Sequence, residues 1–228
     1  MTNLDLISEA IKFIERIDTE DVNKELAISR MKQFVLLNTP QPKGGKVKIY
    51  DWVYKDDNLR PQMSGVYHDC EGKVAVATDT HAIIVSKSDY VECEESHIVA
   101  KNGDEIYGKY VDYKRVMPDT DECLSYDVDR DKIVRLLQQY RAERKLDKSV
   151  EYLAINVGSP DKPFYLTPEN CKLLLQLPDG NFFIQANSQY GDYNARPLSY
   201  ESADENYKAI FMPKHYPKRN EDVIRNND

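Results

Sequence analysis

The chain opens on apolar residues at helical spacing. Leu4, Ile7, Ile11, Ile14 and Ile17 fall on one face, Asp18 to Glu20 interrupts them, and a second helical stretch runs from about Asp21 to Leu37. Such a stripe normally packs a helix pair onto a sheet; a separate partner-binding helix is the other reading. Thr39 to Gly45, TPQPKGG, is a turn-rich connector. From Leu59 onward the period shortens. Val66 to His68 alternates, Asp69 to Lys73 supplies Gly and charge for a hairpin, and Val74 to Val85 alternates again around Thr78-Asp79-Thr80. That pattern predicts antiparallel strands.

After Pro118 the pattern resets. Leu124 to Val128 reads as a short strand, and Asp129 to Lys145 as a helix with Ile133, Leu136, Leu137 and Tyr140 on one face. Asp129 is placed to cap it, and Arg144 and Lys145 suit its C-terminal dipole. Val150 to Val157 alternates as a strand. Thr167 opens a second helix with Cys171, Leu174 and Leu175 inside, ended by Pro178-Asp179-Gly180. Three more strands are expected near Asn181 to Ala186, Ala195 to Tyr200 and Asn206 to Met212. This order is α+β.

Composition narrows the class. The 228 residues suffice for one large domain or two small ones, and 41% hydrophobic with 31% charged residues is a globular balance. No apolar run approaches the ~18 residues of a membrane span, and Met1 to Arg16 carries acids where a signal peptide wants bases, so the expected location is the cytoplasm, with no membrane partner. Cys70, Cys93, Cys123 and Cys171 are far apart in the sequence with no CxxC pair, which fits reduced thiols. A net charge of -8 argues against a generally basic surface while leaving room for a local one.

Little points to catalysis. None of His68, His81, His97 and His215 lies in a metalloprotease or nucleophile-elbow context, and no glycine-rich phosphate loop is present. Asp79 and His81, two apart on an expected strand end, would share a face as an acid-base pair, but no nucleophile accompanies them. His68, Cys70, Cys93 and His97 have tolerable zinc spacing without a tight paired-ligand signature. The expectation is a non-enzyme with no cofactor and no metal. Lys132, Arg135, Arg141, Arg144 and Lys145 lie mostly off the apolar face of the first C-terminal helix, and Lys172 is on the second. A solvated polar face accounts for them without function.

Four sequence words change that weighing. RPQMSGV at Arg60 to Val66, GKVAVATDTHAIIV at Gly72 to Val85, GKYVDYKRVMP at Gly108 to Pro118, and YKAIFMP at Tyr207 to Pro213 occur in the order of, and resemble, RPxLxGV, ATDGHRLAV, GKFPDYRRVxP and the Met-Pro-ended last strand of the bacterial sliding clamp, the beta subunit of DNA polymerase III. Thr80 stands where that family has Gly, Ala82 where it has Arg, and Lys214 where another Met is usual. Only about twenty residues separate Val85 from Ile106, fewer than the family's middle domain uses, and the stretch from Val157 to Phe164 is similarly contracted.

The resemblance implies a DNA clamp-like α+β fold, with helices packed on curved antiparallel sheets. It divides the chain into an N-terminal helical segment and connector over 1–45, a middle-domain region over 46–118 and a C-terminal domain over 119–228. It implies a DNA polymerase processivity factor or a derivative of one, with duplex DNA met without sequence specificity and, with so few domains per chain, a homotrimeric ring. Lys132, Arg135, Arg141, Arg144, Lys145 and Lys172 would then face DNA. Met63, Thr78, Thr80, His81, Ile83, Pro118, Ile210, Met212 and Pro213 match the cleft that takes short peptide motifs of polymerase and other replication proteins; plain core packing is the competing account of the apolar ones. The alternative is a monomeric clamp-derived interaction module, of the kind a phage or mobile element carries, that does not encircle DNA.

Overall fold

Antiparallel pairing organises nearly every strand of the computed structural model, which describes residues 46–55, 60–118, 123–185, 196–214 and 221–226, together with 7, 10–14, 24, 27, 28 and 31. Residues 10–14 are helical and Ile11 is buried, whereas Leu4, Ile17, the Asp18 to Glu20 break, the Thr39 to Gly45 connector and His215 lie outside the described residues. The strands are β1 (Val66–Asp69), β2 (Val74–Thr78), β3 (Ala82–Ser86), β4 (His97–Val99), β5 (Glu105–Ile106), β6 (Cys123–Ser125), β7 (Tyr152–Asn156), β8 (Tyr165–Leu166), β9 (Gly180–Gln185), β10 (Leu198–Ser202), β11 (Tyr207–Phe211) and β12 (Val223–Arg225); the helices are α1 (Arg130–Leu146) and α2 (Pro168–Leu174). Nine strands form one sheet in the order β5-β4-β1-β2-β3-β11-β10-β9-β6, and β12-β7-β8 form a second. This is an α+β architecture. The large sheet carries strands from both sides of residue 118, joined where β3 pairs with β11.

The alternation in the central strands sorts residues between two cores. Ala75 and Ala77 of β2, Ala82 and Ile84 of β3, and Ala209 and Phe211 of β11 face one core with Trp52, whereas Val74, Val76, Ile83 and Ile210 face another with Tyr110 and Tyr113. Since successive side chains point to opposite faces, a period of two here separates two buried surfaces and not an inside from an outside. The helices join the first core through Ile133, Leu137 and Tyr140 of α1 and Cys171, Leu173 and Leu174 of α2. Both start where their caps predict: the Asp129 carboxylate accepts the Lys132 N–H at 2.8 Å, and the Thr167 hydroxyl accepts the Asn170 N–H at 3.1 Å.

Besides adding β8 and β12, the structure differs from the sequence reading in three places. The run Val74 to Val85 is two strands, because Asp79 turns the chain: its Oδ1 accepts the N–H groups of His81 (2.9 Å) and Ala82 (2.6 Å). The short stretch from Val85 to Ile106 holds β4 and β5, and β4 pairs back on β1. Gly65 permits this close approach, since a Cβ there would sit 2.7 Å from Ile98 Cγ2 and 2.8 Å from the Val99 carbonyl oxygen. The strand expected over Leu124 to Val128 is β6, which begins at Cys123 and ends at Ser125.

Candidate functional site

The helical cations come together at the C-terminal end of α1. Arg141, Arg144 and Lys145 line a concavity of ≈ 350 Å³ with Leu137 and Tyr140, and α2 contributes Lys172 across it. Among the described residues no carboxylate belongs to that lining. The wall is braced from beneath. The Tyr140 and Tyr152 rings stack at 4.5 Å, and the Arg144 guanidinium sits 5.6 Å from the Tyr140 centroid with Nη1 3.4 Å from its hydroxyl. Arg225 lies over the Tyr152 ring and pairs with Glu143 at 3.0 Å. Gln139 donates to Glu143, and with Tyr152 and Arg225 this outweighs partial burial and lowers the Glu143 carboxyl's pKa. Glu143, on the same helix, is therefore occupied by Arg225, Gln139 and Tyr152. Lys172 has a single-turn partner in Glu169 at 3.5 Å.

The other two predicted DNA-facing residues are placed differently. Lys132 donates to the Gly158 carbonyl (2.6 Å) and pairs with Asp222 (3.3 Å), with only 13% of its side chain exposed. It fastens α1 to the loop after β7. Arg135 is exposed, outside the lining of the concavity.

Six of the nine predicted peptide-binding residues meet around the β2–β3 turn. Ile83 pairs with both Thr78 and Ile210, and the Met212 N–H donates to the His81 carbonyl at 2.7 Å. The Thr78 hydroxyl donates to Ala82 O (2.8 Å) and accepts from Thr80 N (3.1 Å). Thr80 occupies the Gly position of the family word at φ +80°, a left-handed conformation that a β-branched residue rarely adopts. Its hydroxyl lies 3.1 Å from His81 Nδ1. The backbone therefore still takes the glycine shape. Ile83 and Ile210 are buried in the second core, as are Thr78 and Met63 in their own surroundings, so the surface is presented by Thr80, His81 and Met212, the last 43% exposed.

The remaining three lie on other segments. Met63 accepts a backbone hydrogen bond from Tyr54 N at 2.9 Å. Pro118 follows Met117, which packs on the core of Ile83 and Ile210, and Pro213 precedes Lys214, whose N–H donates to Tyr165 of β8. A hollow of ≈ 520 Å³ adjoins the turn, lined by Val53, Tyr54, Asp79, Lys172 and Leu173 among others. Sequence reasoning missed it because Asp51–Lys55 carries no period that would dock it beside α2. Beside the fully buried Trp52, Gln176 holds that segment by accepting from Lys48 N (3.0 Å) and donating to Asp51 (2.8 Å).

Two other candidate groupings resolve. Asp79 and His81 do not form an acid-base pair, because the bend turns Asp79 Oδ1 onto backbone N–H groups and leaves His81 Nδ1 against Thr80. His68 and His97 stack as cross-strand partners at 5.5 Å, with His68 Nδ1 accepting from Val91 N. Burial and the neighbouring His97 lower the His68 pKa, more than Asp89 restores. Among the described residues no three His, Cys, Asp or Glu side chains are arranged to hold a metal ion, and no helix is long and apolar enough to cross a membrane.

No family model and no curated protein matches this chain. Solved structures similar to it include the beta subunit of DNA polymerase III from Thermotoga maritima, at 14% identity and a TM-score of 0.45, covering 78% of this chain and 69% of that one. A beta sliding clamp from C. crescentus shares 17% identity at a TM-score of 0.48, over 74% of this chain and 62% of that one. A sliding clamp, DNA polymerase III subunit beta, from Bartonella birtlesii bound to griselimycin shares 12% at 0.49, over 79% and 70%. All three belong to the family whose sequence words this chain resembles.

Proposed function

We propose that this chain is a sliding-clamp-like processivity factor, or a derivative of one, that meets duplex DNA through the α1–α2 concavity and replication proteins through the β2–β3 turn and the end of β11. One observation carries the reading. Arg141, Arg144, Lys145 and Lys172, scattered over two helices in the sequence, converge on one surface in a chain whose net charge is -8. A local basic wall on an acidic body suits diffuse contact with phosphates, since it attracts the backbone at one place and repels it elsewhere. Encirclement requires a closed assembly, and a homotrimer is the form this reading expects.

The test is Arg141→Glu with Lys145→Glu, both exposed and away from the core. Retention on nicked circular duplex should fall, and the slope of log affinity against log salt should shrink by about 2. Equal retention, or none by the parent protein at low salt, rejects the DNA role. A second reading, a monomeric clamp-derived interaction module, is favoured by the apposition of Met212 to His81, which needs no ring. Solution mass by light scattering separates the two. A labelled clamp-binding peptide that binds the parent and loses affinity to Met212→Ala supports the cleft under either; unchanged binding by the folded variant removes it.

A further inference from the structure

The β3–β4 loop brings two thiols together at the opposite end of β2 from the β2–β3 turn. Several anchors fix that loop: Ser86 Oγ donates to Asp89 (2.6 Å), Val91 N to His68 Nδ1 (3.2 Å), and Cys70 N to Ser96 Oγ (3.0 Å). Between these anchors Cys93 is laid against the β1–β2 hairpin. Cys70 Sγ donates to the Cys93 carbonyl at 2.8 Å, and Cys93 Sγ is 3.7 Å from the Tyr90 hydroxyl. Both cysteines are partly exposed and neither is bridged, whereas Cys123 and Cys171 are buried. Burial raises the Cys70 thiol pKa, and the neighbouring Cys93 side chain, in charge and hydrogen bond, raises it further. The Cys70 thiol thus already lies against Cys93.

We propose that Cys70 and Cys93 are a dithiol modification site that closes reversibly into an intrachain disulfide on reaction with a small-molecule disulfide. One thiol, as thiolate, attacks a sulfur of the reagent, forming a mixed disulfide and expelling one reagent thiol. The second protein thiolate then attacks the protein-side sulfur of that mixed disulfide, expelling the other reagent thiol. Overall, two protein S–H groups are oxidised, one S–S bond forms, and the reagent is reduced to two thiols. Rotation about the Cα–Cβ bond of Cys70 is the motion needed, since its sulfur now rests on the Cys93 backbone. The bridge would pin the β3–β4 loop to the β1–β2 hairpin. Nothing in this depends on the clamp reading.

The folded full chain is incubated with oxidised glutathione, quenched by alkylation, and digested without reduction. The expected product is a Cys70–Cys93-linked peptide pair that has lost two hydrogens, with Cys123 and Cys171 alkylated only after unfolding. The oxidised protein should melt higher by on the order of 5 °C, because the bridge restricts the unfolded chain. Cys93→Ser should instead hold a stable glutathione adduct on Cys70. Persistent unlinked adducts in the parent, links between chains, or two thiols still free to alkylate would each overturn the proposal. The parent experiment stands even if the variant fails to fold.

Discussion

The two ends of β2 use the same local device to opposite effect. At one end Asp69 Oδ1 accepts the N–H groups of Glu71 and Gly72 (3.1 Å each); at the other Asp79 Oδ1 accepts those of His81 and Ala82. Each turn also carries a non-glycine residue at positive φ, Lys73 at +50° and Thr80 at +80°. What differs is the second oxygen. Asp69 Oδ2 is sealed by the Tyr113 hydroxyl (2.6 Å) and Lys114 (3.1 Å), both from the third of the clamp-like words, and the residue is buried. Among the described residues Asp79 Oδ1 has only backbone donors, and the residue stays half-exposed on the wall of a hollow. One turn has been closed by a distant segment and serves the fold; the other remains open to solvent.

The sharpest way to break that contrast is Asp69→Ala, which strands the buried Tyr113 hydroxyl. It should cost about 3 kcal/mol by urea denaturation, against about 1 kcal/mol for Asp79→Ala, which removes two backbone hydrogen bonds but strands no buried side-chain group. Equal costs would show that the distant seal contributes nothing. The pH dependence sharpens it further. Burial pushes the Asp69 carboxyl up, but hydrogen bonds from Tyr113, Gly72 and Lys114 outweigh this and hold it below the ordinary value. A depressed pKa in the folded state stabilises above the ordinary carboxylate range, and that stability disappears as pH falls through the depressed value. Denaturation midpoints should therefore drop from about pH 5 downward in the parent, and less steeply in Asp69→Asn.

Smaller effects probe the open turn. Thr80→Gly removes the cost of a β-branched residue at positive φ and should stabilise by up to about 1 kcal/mol, with a matching rise in melting temperature. A loss of stability would mean that contacts of the Thr80 side chain exceed its backbone strain. Met212→Ala should change stability by less than about 1 kcal/mol, since the residue is 43% exposed.

Legibility in the sequence followed locality. Asp129 and Thr167 announced their helices because a cap acts within three residues, and the face of Ile133, Leu137 and Tyr140 was readable because helical spacing is intrinsic to the segment. The convergence of Thr78 to Ile83 with Ile210 and Met212 was reached through family words, not spacing. Composition could not separate Lys132 from Arg141, since only tertiary placement draws Lys132 onto Gly158 and Asp222. The strands β4, β5 and β12 are too short to show a period. Cys70 and Cys93, far apart in the sequence, are brought together by a loop whose anchors are individual side chains.

The pairing of β3 with β11 has a consequence for synthesis. Ala82–Ser86 leaves the ribosome long before Tyr207–Phe211, so the growing chain carries the apolar edge Ala-Ile-Ile-Val with half of its ladder unmet. Until the last strands emerge, that edge is open to any extended segment that reaches it, including the same edge of a neighbouring nascent copy. A chain stopped short of residue 207 would therefore be a template for aggregation, and chaperone cover would matter most in the interval before β11 arrives to fill its place.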